Sequence, residues 1–307
     1  MTHAATAFLG RLIDYAGLFP PASLDLQPAL DNFHRYRGGS ESWMLGPFIV
    51  PVGRLGEVSR HTAGASGEDA PFSVILPAGD GWFTDVTAGS EEAFAWEAAT
   101  EGVRVDAFET RLPAPLASAP DRLAQGLFEW AIKIDERGPE ARVALEVPYL
   151  SHPETPAATA QAIADANGRS GRDVFLLKLR CGGVTPDLVP SVEALASAIT
   201  SARQGGVPFK ATAGLHHPFP NDDGTVGTRM HGFVSVFGGA ALALRHGLGA
   251  DDLAEILHDA DPSSWSLDTD LRWRSLSAPA ADIAEARQRV ALSFGSCSFD
   301  EPRDDLR

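Results

Sequence analysis

Short β-rich apolar runs alternate along the chain with longer alanine-rich stretches whose apolar residues recur at helical spacing. The apolar runs predict strands at residues 11–17, 46–52, 71–78, 102–112, 142–150, 173–183, 207–217 and 292–299. Between them, residues 90–100, 120–138, 155–171 and 190–206 read as helices. Eight βα repeats in a chain of 307 residues predict one (β/α)8 TIM barrel across residues 1–307, a fold for which about 250 residues is typical.

The interval between the seventh and eighth strands is too long for a single crossover helix. Residues 219–291 are therefore expected to form a mostly helical insertion that starts near the C-terminal mouth of the barrel, where insertions commonly cover active sites. Its Phe233, Phe237, Trp265 and Trp273 suit packing onto the barrel, and the small residues of "FGGAALALRHG" suit either a homo-oligomer interface or a helix pressed over the mouth. An open doubly wound sheet is the competing architecture. No GxGxxG follows the first strand and no GxxxxGK[ST] occurs, so nucleotide-binding folds lose their support.

Charge narrows the partners. Lys and Arg total 25 against 41 Asp and Glu, a formal charge of -16. No basic run is present to release counterions from a phosphate backbone, which argues against nucleic acid. The N-terminus lacks a signal-peptide pattern and no stretch reaches bilayer-spanning length, so a cytoplasmic protein without membrane partners is expected. Two cysteines, Cys181 and Cys297, exclude a disulfide framework. Placed on the sixth and eighth strands they are about 9–10 Å apart, beyond disulfide reach, and buried inert thiols are the expectation for both.

The chemistry concentrates in two runs that each carry a lysine inside an apolar strand, "LLKLRCGG" with Lys178 and "PFKATAGLHHP" with Lys210. A charge there is costly unless it is paired or used. Alternation puts Lys178 on one face with Arg180 and Lys210 on one face with Thr212. On neighbouring strands the two ammonium groups would lie about 5 Å apart and repel by roughly 3 kcal/mol at an effective dielectric of about 20. One lysine would then be partly neutral, as Schiff-base chemistry requires, although Glu146 and Glu109 on the fifth and fourth strands would oppose that shift.

This pair of barrel lysines resembles the class I aldolases of the deoxyribose-phosphate aldolase type, whose Schiff-base lysine and second lysine sit on the sixth and seventh strands. The resemblance implies that Lys178 forms the imine and Lys210 is its partner. Asp106 in "VRVDAF" is similar to the acid that handles protons in that family. The chain departs from it in its extra Arg180, in lacking the threonine- and glycine-rich signature after the first lysine, and in its insertion. The motifs "KLRCGG", "KATAGLHHP" and "FGSCSF" also look like those of a distinct barrel family.

Other residues complete the expected site. Arg180 anchors an anionic group, and Glu146 pairs with Lys178 or moves protons. His216 and His217 end the seventh strand as acid/base or substrate ligands, Asp14 ends the first, and Ser296 lies in a Gly/Ser turn that is either an anion site or a tight bend. The histidines, with His231, Glu146, Glu109 or Asp14, also allow a metal-assisted hydrolase or lyase, but adjacent histidines on a strand end point apart and no H-E-x-x-H spacing exists. The expected protein is thus a lysine-centred lyase or aldolase for a small carbonyl or carboxylate compound, with no cofactor and no resident metal. Its rivals are the metal-assisted enzyme and a noncatalytic barrel that holds a small anion.

Overall fold

A computed structural model describes residues 2–62, 69–138 and 140–306 of the chain. After α1 (His3–Leu9), the barrel is laid down as β1 (Ile13–Tyr15), α2 (Leu26–Arg37), β2 (Leu45–Pro51), α3 (Leu55–Thr62), β3 (Ala70–Ile75), α4 (Trp82–Ala99) and β4 (Val103–Arg111). It continues with α5 (Ala114–Ala117), α6 (Pro120–Asp135), β5 (Arg142–Glu146), α7 (Thr155–Ser170), β6 (Phe175–Arg180), α8 (Val192–Gln204) and β7 (Phe209–Thr212). The insertion carries β8 (Asn221–Asp223), β9 (Thr228–Met230), α9 (Phe233–His246), α10 (Ala250–His258), β10 (Trp265–Leu267), β11 (Asp270–Trp273), β12 (Leu276–Pro279) and α11 (Ala280–Arg289). The barrel strand β13 (Ala291–Ser296) and α12 (Asp300–Asp304) end the chain.

Eight parallel strands close in the order β1-β13-β7-β6-β5-β4-β3-β2, and each of the eight expected strands is one of them. The protein is a (β/α)8 barrel. Helices fill the outer layer because their apolar faces meet the outward faces of the strands: Phe33 packs on Phe48 and Phe72, Trp96 on Phe72, and Trp130 on Phe175. Local sequence fixes helix limits where it supplies a cap. Ser191 accepts a hydrogen bond from the Ala194 N–H at the start of α8, and Gly171, at a φ of 73°, ends α7 in the left-handed region.

The insertion is not mostly helical. Residues 221–230 make a two-stranded hairpin, and the Trp-rich segment within the insertion forms the antiparallel sheet β10-β11-β12. Its period-two alternation, with Leu271 and Trp273 buried and Asp270 and Arg272 more exposed, is the signal that the helix-dominated reading passed over. The aromatics pack inward as expected: Phe233 and Phe237 lie on Phe294 of β13, and Trp265 contacts Phe219 and Trp273.

Two features frame the barrel. Beyond the C-terminal ends of β6 and β7, Gly182 and Gly214 approach so closely that a Cβ on either would lie 2.8 Å from the other's Cα, with the Met230 side chain against both. Gly214, at a φ of 75°, is conformationally required there. At the start of β13, the half-buried Arg287 guanidinium donates to the carbonyls of Phe8, Gly10, Ala291 and Leu292, tying α1 and α11 to that strand. Burial pushes this guanidinium down to about 10.

Candidate active site

Register brings the two lysines together. Lys178 pairs with Lys210 across the β6–β7 ladder and with Glu146 across the β5–β6 ladder. In the third to fifth strands the inward positions supply Ser73, Glu109 and Glu146, and on the far side of the seam β1 and β13 supply Asp14 and Ser293.

These side chains form one chain of alternating charge. Lys210 Nζ lies 2.6 Å from Asp14 Oδ2 and 2.5 Å from Glu109 Oε1. Lys178 Nζ lies 3.0 Å from Glu109 Oε2 and 2.9 Å from Glu146 Oε2. Arg180 closes the series with Nη2 2.8 Å and Nε 3.2 Å from Glu146 Oε1. Ser73 donates to Glu109 and Ser293 to Asp14, at 2.7 and 2.8 Å. All but Arg180 and Ser293 are buried, so the attractions act where water screens them least.

The protonation states follow. Burial drives both lysines toward neutrality, but two carboxylates on each outweigh it and hold both ammonium groups above the ordinary lysine value. Burial likewise opposes ionisation of the glutamates. Lys210 and Lys178 overcome it at Glu109, which is held well below the usual range, and Lys178 and Arg180 bring Glu146 down to about 2. The expected depression of one lysine by the other is therefore overturned, because Glu109 stands between the two charges.

Asp14 behaves differently. Burial outweighs Lys210 and raises its carboxyl, and its Oδ1 is buried without a hydrogen-bond partner. That oxygen fills the space a side chain at position 46 would need, which explains Gly46 on β2. Asp14 is the carboxylate of the series most ready to take a proton.

Six expected residues thus converge: Lys178, Lys210, Glu146, Arg180, Glu109 and Asp14. Asp106 does not join them. The β3–β4 ladder slips one residue at this point, Phe72 pairing with Val105 and Ser73 with Ala107, so Asp106 is the extra residue of a bulge. It pairs with Arg11 at 2.8 Å and Arg104 at 2.5 Å, at the N-terminal end of the strands. Glu109, three residues on, is the acid that β4 delivers to the lysines.

The mouth residues divide similarly. His216 Nδ1 lies 2.8 Å from Glu301 Oε2 and His217 Nδ1 2.5 Å from Asp305 Oδ2, so both engage the C-terminal segment. The buried His231 uses Nε2 on the Pro190 carbonyl. Ser296 is buried, and its hydroxyl accepts from the Ser298 N–H at 3.3 Å, the tight bend of the two readings offered for it. Among the described residues, no three His, Cys, Asp or Glu side chains are arranged to hold a metal ion.

Several contributors escaped sequence reading. Ser73 and Ser293 interrupt apolar strands at inward positions, a signal comparable to that of the lysines. Arg111 comes within 3.9 Å of Glu146 from the mouth, and the Tyr149 hydroxyl donates to the Arg180 carbonyl. Nothing local marks either one.

No helix among the described residues is long and apolar enough to cross a membrane. No protein-family model and no curated protein sequence matches the chain. Solved structures do. One, described as "QR15, an Aldolase", is 16% identical with a TM-score of 0.44, over 66% of this chain and 80% of that one. Another is a lysine/ornithine decarboxylase complexed with cadaverine from Vibrio vulnificus, 12% identical with a TM-score of 0.41, over 95% of this chain. The chain spans 58% of the decarboxylase's length.

Proposed function

We propose that this barrel is a lysine-centred lyase of aldolase type that acts on a small carbonyl or carboxylate compound, with Lys178 as the imine-forming amine. The observation that carries the reading is the placement of two lysines in register on β6 and β7, interleaved with three carboxylates.

Lys178 is preferred over Lys210 because its second carboxylate is shared. Glu146 also holds Arg180, whereas Lys210 lies between Asp14 and Glu109 alone. An anionic group of the substrate that draws Arg180 away leaves Glu146 with one cation fewer and a higher proton affinity. Glu146 then accepts the Lys178 proton, and the free amine attacks the carbonyl carbon. The carbinolamine loses water with a proton returned by a neighbouring acid, giving an iminium that withdraws electrons from the adjacent carbon–carbon bond. As the carbon–carbon bond breaks, its electron pair passes to the iminium as an enamine, a carboxylate takes the hydroxyl proton of the departing fragment, which leaves as a neutral carbonyl, and Lys210, still protonated, steadies that oxygen while Asp14 and Glu109 orient it.

The test is incubation with a panel of small aldehydes and keto acids plus borohydride, followed by intact mass and peptide mapping. A reduced adduct on Lys178 that is lost in Lys178→Met supports the reading. Absence of an adduct on either lysine across the panel sinks it and favours a noncatalytic anion-binding barrel.

A further inference from the structure

Arg111, Glu146 and Arg180 are the last residues of β4, β5 and β6, three strands that lie side by side in the barrel. Side chains two apart on a strand share a face, so Arg111 stands one step above Glu109 and Arg180 one step above Lys178, toward the mouth. From the two flanking strands both arginines reach the same atom. Arg180 donates to Glu146 Oε1 through Nη2 at 2.8 Å and Nε at 3.2 Å, and Arg111 Nε lies 3.9 Å from that oxygen. Each arginine is also set on a pinned backbone: the Trp82 indole donates to the Arg111 carbonyl at 2.8 Å, and the Tyr149 hydroxyl donates to the Arg180 carbonyl. Both aromatic side chains are buried.

We propose that Arg111 and Arg180 form a two-guanidinium clamp at the barrel mouth for a carboxylate attached directly to the substrate's carbonyl carbon, so that the substrate is a 2-oxo acid. The inference rests on Lys178 as the imine-forming amine and gives that reading its substrate class.

Glu146 fills the clamp only in part. Arg180 spends two donors on a single oxygen, because Lys178 holds Glu146 Oε2 at 2.9 Å. A free carboxylate can offer one oxygen to each donor, the stronger, bidentate arrangement. At 3.9 Å Arg111 is attracted without a hydrogen bond, and its guanidinium has no hydrogen-bond partner among the described residues. Its side chain is 74% exposed, open to a ligand arriving from solvent.

Spacing selects the anion. Glu146 carries Arg180 on one oxygen and Lys178 on the other, so guanidinium and amine stand one carboxylate apart. A substrate that holds Arg180 while its carbonyl carbon bonds to Lys178 Nζ must be equally short there, which puts its carboxylate on that carbon. A phosphoryl group at the far end of a carbon chain would hold the two groups further apart. Once the substrate takes both arginines from Glu146, Lys178 is the cation left beside that carboxylate, which is then placed to receive the amine's proton.

The experiment compares borohydride trapping of pyruvate and acetone, which present the same ketone with and without the carboxylate. Binding of pyruvate and of inorganic phosphate is measured in parallel by calorimetry without borohydride. Pyruvate is expected to half-saturate trapping on Lys178 at a concentration about a hundredfold below that of acetone. Arg111→Met should cut this preference about tenfold, and Arg111→Lys less, since lysine keeps the charge but loses the fork. Thermal melting checks that each variant is folded; because Arg111 is exposed, its variants keep the test intact if Arg180→Met does not fold. A pyruvate preference indifferent to Arg111→Met, or phosphate bound more tightly than pyruvate, overturns the proposal. If no carbonyl is trapped but calorimetric binding of pyruvate weakens in Arg111→Met, the clamp stands and the imine reading falls. If both ketones are trapped equally well, the imine reading stands and the clamp falls.

Discussion

Lys178 and Lys210 face each other directly in the β6–β7 ladder, yet one carboxylate serves both: Glu109 Oε1 lies 2.5 Å from Lys210 and Oε2 3.0 Å from Lys178. A pair of like charges is thereby converted into a bridged one. Glu109 determines whether the lysines repel or share.

Replacing Glu109 with Gln should restore the repulsion. Breaking a buried ion pair by removing one partner costs roughly 3–5 kcal/mol, so Glu109→Gln should lower the urea midpoint markedly. In the protein that remains folded, the pH at which borohydride traps an aldehyde on Lys178 should move down, since an ammonium that has lost its anion gives up its proton more readily. A trapping midpoint that stays put would mean that Glu109 does not control the amine.

The two lysines should differ in their structural weight. Among the described residues Lys210 is the only cation paired with Asp14, while Glu146 keeps Arg180 when Lys178 is removed. Lys210→Met should therefore cost more stability than Lys178→Met in paired urea titrations, by on the order of 1–2 kcal/mol. Equal losses would contradict the asymmetry read from the ion pairs.

Glu146 should shape the acid limb of stability. Its folded value, about 2, lies below the ordinary 4.5, so it contributes stability present above pH 4.5 and lost as pH falls toward 2, in total about 3 kcal/mol. Asp14, raised in the folded state, acts with opposite sign and partly offsets this. Urea midpoints measured from pH 6 to pH 2 should fall less steeply in Glu146→Gln than in the parent protein; parallel curves would remove Glu146 from this role.

Asp106→Asn is the contrasting substitution. Its partners Arg11 and Arg104 are about half exposed, at the end of the strands away from the lysines. Such pairs are worth roughly 0–1 kcal/mol each. Aldehyde trapping on Lys178 should stay within twofold of the parent, and a large loss would restore Asp106 to the chemistry.

The barrel was legible because strand and helix periods alternate along the chain, and Lys178, Lys210 and Glu146 stood out as charges inside apolar strands. What stayed hidden depends on register or long-range contact. Counting alternate residues along β4 cannot reveal the one-residue bulge that turns Asp106 away and leaves Glu109 inside. The pairing of His216 with Glu301 spans 85 residues, and no local pattern announces it. In the Trp-rich segment the alternation was present, but three short strands beside strong helical stretches were read as part of a helical region.

The alternating series also sums to zero, three carboxylates against Lys178, Lys210 and Arg180. A balanced interior has no spare positive charge to offer an incoming anion. Such a ligand enters with a proton, or it displaces a carboxylate that must then find a proton or water, and occupancy becomes an acid–base event. The barrel would therefore take up hydrogen ions from its surroundings as an anion binds, and its hold on that anion would tighten as the solution is acidified.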